Sequence, residues 1–298
     1  MVTRSTVRIG AVVPNSGRLP LDLGIPAMAG TLERAGYGSL WVSDHIVMPG
    51  QIASRYPFAA DGKATWPTDT PYLDALIALA LIAGATEHAA IGTAALVLPL
   101  RHPVELAKQA ASIDVASGGR LVLGVGAGWL REEFEALGVP FAGRGARLVE
   151  WMEIARDCWT GRPVARASER YTLPADVLCL PPPAHRIPFL MGGHSEIALR
   201  RAGALADGWL AQQALSQLDP AELAAGASAM RAAAVEVGRD PAACRVVLRI
   251  VESAGRSAEV AAALPRLAEA GVDEIIVNAD WAVGEHEADV EQMRAALA

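Results

Sequence analysis

Residues Ile91–Gly126 read IGTAALVLPLRHPVELAKQAASIDVASGGRLVLGVG, and this stretch decides the fold class. An apolar run, Ile91–Leu98, has the length and β-branched content of a strand. Pro103 then sits where a first helical turn tolerates proline, and the helix closes at Gly118-Gly119. A second strand follows at once over Arg120–Val125. The unit is strand, helix, strand.

Working outward, the same alternation recurs on both sides. Strands are predicted over Val7–Val13, Ser39–Ser43, Ile187–Met191, Gly208–Leu210, Val246–Val251 and Glu274–Val277. Helices are predicted up to Gly36, over Tyr72–Thr86, Arg147–Thr160 and Ser195–Ala206, from a cap at Asp219 to Gly238, and after each of the last two strands. Eight strands alternating with helices predict an α/β fold, a (β/α)8 barrel, with a doubly wound sheet as the runner-up. No linker divides the chain, so residues 1–298 are read as one domain. Two connections exceed what a barrel needs. Pro49–Thr70 carries Arg55, Tyr56, Phe58, Lys63 and Trp66 and is read as a lid; Gly161–Arg186 is proline-rich.

Of the 298 residues, 52% are hydrophobic and 20% charged, ample for a large core. A net charge of −7 argues against a nucleic-acid partner, which needs a basic face. Cys158, Cys179 and Cys244 are too scattered for a disulfide framework or a zinc site. The first ten residues lack the apolar core of a signal peptide, and the Tyr72–Ala85 run is short and interrupted by Asp74. The reading is a cytoplasmic protein with no membrane partner.

Polar residues at strand C-termini face the active site of a parallel barrel. Those positions give Pro14 and Asn15, Asp44 and His45, Arg101 and His102, Gly126-Ala127-Gly128-Trp129, and Gly192-Gly193-His194-Ser195. Asp44-His45 is the sharpest pair: an imidazole moves protons near neutrality, and an adjacent carboxylate would orient it or raise its pKa. The competing reading is that both only bond loop backbone, and strand alternation would send them opposite ways. Gly192 to Ser195, ahead of a helix, has the character of an anion site, or of a turn that needs glycine. Gly124 to Gly128 lacks the spacing of a dinucleotide fingerprint and is read as backbone close to a flat ligand. Trp129 would wall that ligand or pack beneath the next loop. His102 is read as a helix-entry residue, and His88, His185 and His286 as surface residues. The histidines show no metal-ligand spacing, so no metal is expected.

Ile91 to Gln109, Ser117 to Trp129, Glu133-Phe134, Gly138, Arg144-Gly145 and Cys158-Trp159-Thr160, with Ser43-Asp44-His45, Gly192 to Ser195, Arg200-Arg201-Ala202 and Ala206 to Trp209, together resemble the luciferase-like monooxygenase superfamily. The branch most resembled uses coenzyme F420, the 8-hydroxy-5-deazaflavin, and the match is weak beyond about Leu210. The resemblance implies the closed barrel and a homodimer. It also implies Asp44 and His45 beside the deazaflavin, with His45 as acid or base, and a non-prolyl cis peptide at Ala94-Ala95 backing the ring. Gly126, Ala127, Gly128 and Trp129 would line the cleft, and Gly192, Gly193, His194 and Ser195 would take the phosphate. One departure stands out: the F420-dependent sugar-phosphate dehydrogenases carry a glutamate where this chain has Trp129, which argues against a sugar phosphate.

The expectation is therefore hydride transfer between C5 of F420 and a small organic substrate. FMN with oxygen, as a monooxygenase, is the first alternative. A flavin- or deazaflavin-binding protein without turnover is the second, and a phosphate-binding barrel lyase the third. Tyr56, Phe58 and Trp66 suggest an apolar or planar substrate, and the apolar second helix suggests a dimer face.

Overall fold

The computed structural model describes residues 7–57, 59, 61–64 and 66–297; Phe58 lies outside them. Eight parallel strands close into a barrel in sequence order. They are β1 (Arg8–Val12), β2 (Ser39–Val42), β3 (Ala90–Val97), β4 (Leu121–Gly126), β5 (Phe189–Gly192), β6 (Gly208–Ala214), β7 (Arg245–Val251) and β8 (Glu274–Asn278). One long helix follows each: α1 (Ile25–Arg34), α2 (Ala75–Ala85), α3 (Pro103–Ser117), α4 (Arg144–Cys158), α5 (Glu196–Leu205), α6 (Pro220–Glu236), α7 (Ser257–Glu269) and α8 (His286–Ala295). The ring, not the row, is the outcome.

Local chemistry sets the element ends. Asp74, which interrupts the apolar run, is the cap of α2: its carboxylate accepts the Leu76 and Ile77 N–H groups at 2.8 and 3.1 Å. His102 caps α3 ahead of Pro103, as its helix-entry reading expected, and Gly118 ends that helix in the left-handed region. α4 starts at Arg144, three residues before its predicted start. β6 runs on to Ala214 beyond its predicted end at Leu210, because the polar Gln212 and Gln213 continue the ladder with β7. The Gly161–Arg186 connection contains a small hairpin, Arg166–Ala167 against Thr172–Leu173. His286 overturns its surface reading. It is 5% exposed at the start of α8, with its ring 4.8 Å from that of Trp281.

Strand alternation sorts the apolar residues into two layers. Val12, Trp41, Ala94, Val122, Leu190, Leu210, Val247 and Ile276, one from each strand, fill the barrel interior. The opposite faces pack under the helices in a much larger cluster. At the end where the strands begin, Glu274 is 1% exposed yet fully engaged. It accepts Ser39 Oγ at 2.5 Å, Trp41 Nε1 at 3.1 Å and Arg245 Nη2 at 2.6 Å. A buried carboxylate tolerates burial only with such partners. No helix among the described residues is long and apolar enough to cross a membrane.

Candidate active site at the strand C-termini

His45 leaves β2 at the opposite end of the barrel and is almost wholly buried. Its Nδ1 lies 3.0 Å from Glu133 Oε2. Glu133, 1% exposed on the short helix Arg131–Ala136, also accepts the Ile46 N–H at 2.6 Å through Oε1. A carboxylate there makes Nδ1 the protonated nitrogen and leaves Nε2 to face the mouth. This is the geometry of an oriented acid or base.

The carboxylate beside the imidazole is thus Glu133, which corrects the expectation for Asp44. Asp44 turns the other way, as alternation allows. It accepts Arg101 Nη2 at 2.6 Å and the Val97 N–H at 2.9 Å. Burial pushes the Asp44 carboxyl up, opposed by the Arg101 guanidinium and the Val97 hydrogen bond. Arg101 also holds Asp74 at 3.0 Å, so the β2, β3 and α2 ends are tied together. Asp44 is a positioning residue for the end of β3.

On β3 the Ala94–Ala95 peptide is cis, and the register with β4 shifts between Thr93 and Leu96. The floor of the mouth is poor in side chains here. A Cβ built on Gly126 would meet nothing nearer than the Ala95 Cβ at 3.7 Å, so protein packing does not demand that glycine. At Gly128 (φ 84°) the backbone itself demands glycine, and Trp129 follows on the turn. Its ring stands edge-on to His45 at 6.2 Å and to Tyr56 at 5.0 Å. Trp66 lies 6.3 Å from His45, and Tyr72 5.5 Å. The 49–70 segment therefore lays Tyr56 and Trp66 over the mouth. It is held by Glu132, whose carboxylate accepts Ser54 Oγ and the Ala53 and Ser54 N–H groups at 2.7–2.8 Å. Partial burial alone would push that carboxyl up; the Ser54 hydroxyl and the N–H groups outweigh it and hold it at about 2.

Gly192 to Ser195 join β5 to α5. Ser195 caps the helix by accepting the Ala198 N–H at 3.3 Å. The His194 ring is engaged on both sides: Nε2 accepts the Gln212 N–H at 3.1 Å and Nδ1 lies 3.1 Å from Glu222. The backbone, not this imidazole, is what the segment offers a ligand. A separate cavity of about 320 Å³, lined in part by Arg8, His88, Arg120 and Arg186, opens at the other end of the barrel. It lies away from His45, and chemistry in this fold belongs to the strand C-termini.

Residues 24–297 match the family model of the luciferase-like monooxygenases. The chain belongs to that family. Among relatives, an uncharacterized protein of Mycobacterium tuberculosis is 38% identical over 183 residues, 61% of this chain and 63% of the relative. The match thus spans less than two thirds of that relative's length. Among solved structures, an F420-dependent secondary alcohol dehydrogenase in complex with an F420–acetone adduct aligns with a TM-score of 0.78 at 18% identity, covering 99% of this chain and 100% of that one. The oxygenating constituent of 3,6-diketocamphane monooxygenase from Pseudomonas putida, in complex with FMN, aligns at 0.60 and 18% identity, covering 82% and 67%. At such identities the likeness is one of fold.

For a luciferase-like protein the mouth has room for a flat ring: small residues at Ala95 and Gly126 on its floor, His45 at one edge and an aromatic wall. Two shielded donors there, Trp66 Nε1 and Arg249 Nε, have no partner among the described residues. Both fit a site made for a polar ligand. Sequence reading missed Glu133, Tyr72, Gln212 and Arg249 as site residues. A signal existed for Arg249, a lone cation inside the apolar run Val246–Val251.

Proposed function

We propose that the protein is an F420-dependent oxidoreductase that moves a hydride between the deazaflavin and a small organic substrate. The observation that carries this reading is the His45–Glu133 pair, 3.0 Å apart and buried beside the bare β3–β4 floor. F420 supplies a two-electron hydride acceptor or donor at C5. The chain supplies the rest. His45 Nε2 takes the substrate hydroxyl proton as a carbinol C–H gives up its hydride and becomes a carbonyl, and returns it in the reverse direction. Glu133 steadies the imidazolium that forms. Trp66, Trp129 and Tyr56 keep water from the reacting atoms. Gly192 to Ser195, ahead of the N-terminus of α5, take a phosphate.

Three free thiols suit a reducing cytoplasm. Ile77 and Leu81, 62% and 43% exposed on α2, suit a second copy of the chain, and sedimentation at micromolar concentration is expected to give a dimer. The function is tested by titrating the protein with F420 and with FMN and following fluorescence quenching. Tight F420 binding with weak FMN binding supports the proposal. FMN binding alone overturns it in favour of a monooxygenase, and binding of neither removes the flavin chemistry altogether.

A further inference from the structure

Arg249 stands on β7 between Gln212 of β6 and Ile276 of β8, on the face that alternation turns into the barrel. Its Nη1 donates to the Ala94 carbonyl on the floor of the mouth. Its Nε is shielded from solvent without a partner, and among the described residues no carboxylate comes within ion-pair distance. Burial lowers its pKa, and the ionisable groups that act on it are the phenols of Tyr72 and Tyr56. Tyr72 in turn packs edge-on against His45. Gln212 Nε2 reaches the Tyr56 hydroxyl at 3.5 Å. A guanidinium whose shielded Nε has no partner therefore faces the same space as the acid–base histidine.

A half-buried cation with a shielded donor and no counter-charge is costly, and a ligand that brings the counter-charge removes that cost. Guanidinium presents a flat fork that matches the two oxygens of a carboxylate. We infer that Arg249 binds a carboxylate of the substrate, so that this site takes a small planar organic acid whose reacting carbon lies toward His45. The inference rests on the reading of this mouth as the substrate site; it does not depend on which cofactor binds there.

The test uses benzoate and benzamide, equal in shape and different in charge, titrated into the full-length protein by tryptophan fluorescence, since Trp66 and Trp129 line the mouth. Benzoate is expected to bind at least about tenfold tighter than benzamide. Arg249→Met is expected to weaken benzoate by about 10- to 100-fold and leave benzamide unchanged. Its Tm is expected to hold or rise, because a half-buried charge without a counter-charge is removed; a structural arginine would give a lower Tm. Should that variant fail to fold, Arg249→Lys keeps the charge without the fork and is expected to lose about tenfold in benzoate affinity. Equal binding of the two probes overturns the inference, as does a benzoate affinity indifferent to position 249. A loss confined to F420 affinity also overturns it and assigns Arg249 to the cofactor ring. Failure of F420 to bind while the benzoate preference survives removes the proposed cofactor and leaves the inference standing.

Discussion

Arg245 and Arg249 share one strand, one face and one barrel interior, and they are treated in opposite ways. Arg245, where β7 begins, meets Glu274 at 2.6 Å, inside a group that also binds Ser39 and Trp41. Arg249, two pleat repeats higher, is given a single carbonyl and two tyrosines. The first arrangement is closed on itself: donors and acceptors are matched within the chain. The second leaves donors over. The difference teaches that one strand can treat two cations differently: the one at the strand start is matched within the chain and holds strands in register, and the one at the strand end keeps a donor that a guest can match.

That division can be broken from either end, and the largest effect is expected at His45. His45→Ala is expected to lower turnover per folded molecule by about 100- to 10,000-fold while cofactor affinity holds, with some fall in Tm because the buried Glu133 carboxylate loses a partner. Steady-state rates beside a thermal scan and a fluorescence titration check this; a turnover that survives the change would show that the mouth does no proton chemistry. Glu274→Gln is expected to do the reverse. It strips the charge that Arg245 faces and weakens the bonds to Ser39 and Trp41, at a cost of about 2–3 kcal/mol, modest because Arg245 is 34% exposed in its side chain. A Tm lower by roughly 4–6 °C with unchanged turnover per folded molecule is the expected outcome. An activity loss without a stability loss would erase the distinction between the two ends.

The smallest effect sharpens the comparison within the mouth itself. Glu132 is held at about 2, below its ordinary 4.5, by contacts that exist only when the loop is down. A depressed carboxyl adds stability that is whole above about pH 4.5 and is lost as pH falls toward 2. Tryptophan emission from Trp66 and Trp129 is therefore expected to stay constant down to about pH 4.5 and to change below it. In Glu132→Gln the emission is expected to be altered already at neutral pH. Emission identical in the two proteins across that range would show that Glu132 does not hold the loop.

The alternation of strands and helices was legible because Ile91–Gly126 contains a complete strand–helix–strand unit whose stops are glycines and whose helix start is a proline, all local signals, whereas closure into a ring was implied by the family resemblance. The placement of His45, Trp129 and the Gly192–Ser195 turn at strand exits was legible for a related reason: each follows closely on a predicted strand. Glu133 was not, although it lies in a quoted motif, because its partner is 88 positions away and only closure of the ring brings them together. Which carboxylate meets the imidazole was open in the sequence, and strand alternation, named as the competing reading, sends Asp44 to Arg101 instead. The end of β6 was lost because Gln212 and Gln213 look like loop residues until their ladder partners are known. His286 looked like a surface residue for want of the Trp281 contact. Arg249 has one local mark, its charge inside the apolar strand Val246–Val251, and its free Nε depends on contacts only the closed ring makes.

Glu132 and Glu133 are neighbours on one six-residue helix, and between them they hold two different things. The first grips Ser54 of the overlying loop; the second grips His45 beneath it. An insertion or deletion between Trp129 and Arg131 would displace both grips in a single event. Substitutions at positions 55–64 of the loop, by contrast, would leave both grips in place. Such a layout gives descendants of this chain wide latitude to trade the ligands they accept while the proton-handling apparatus is inherited intact.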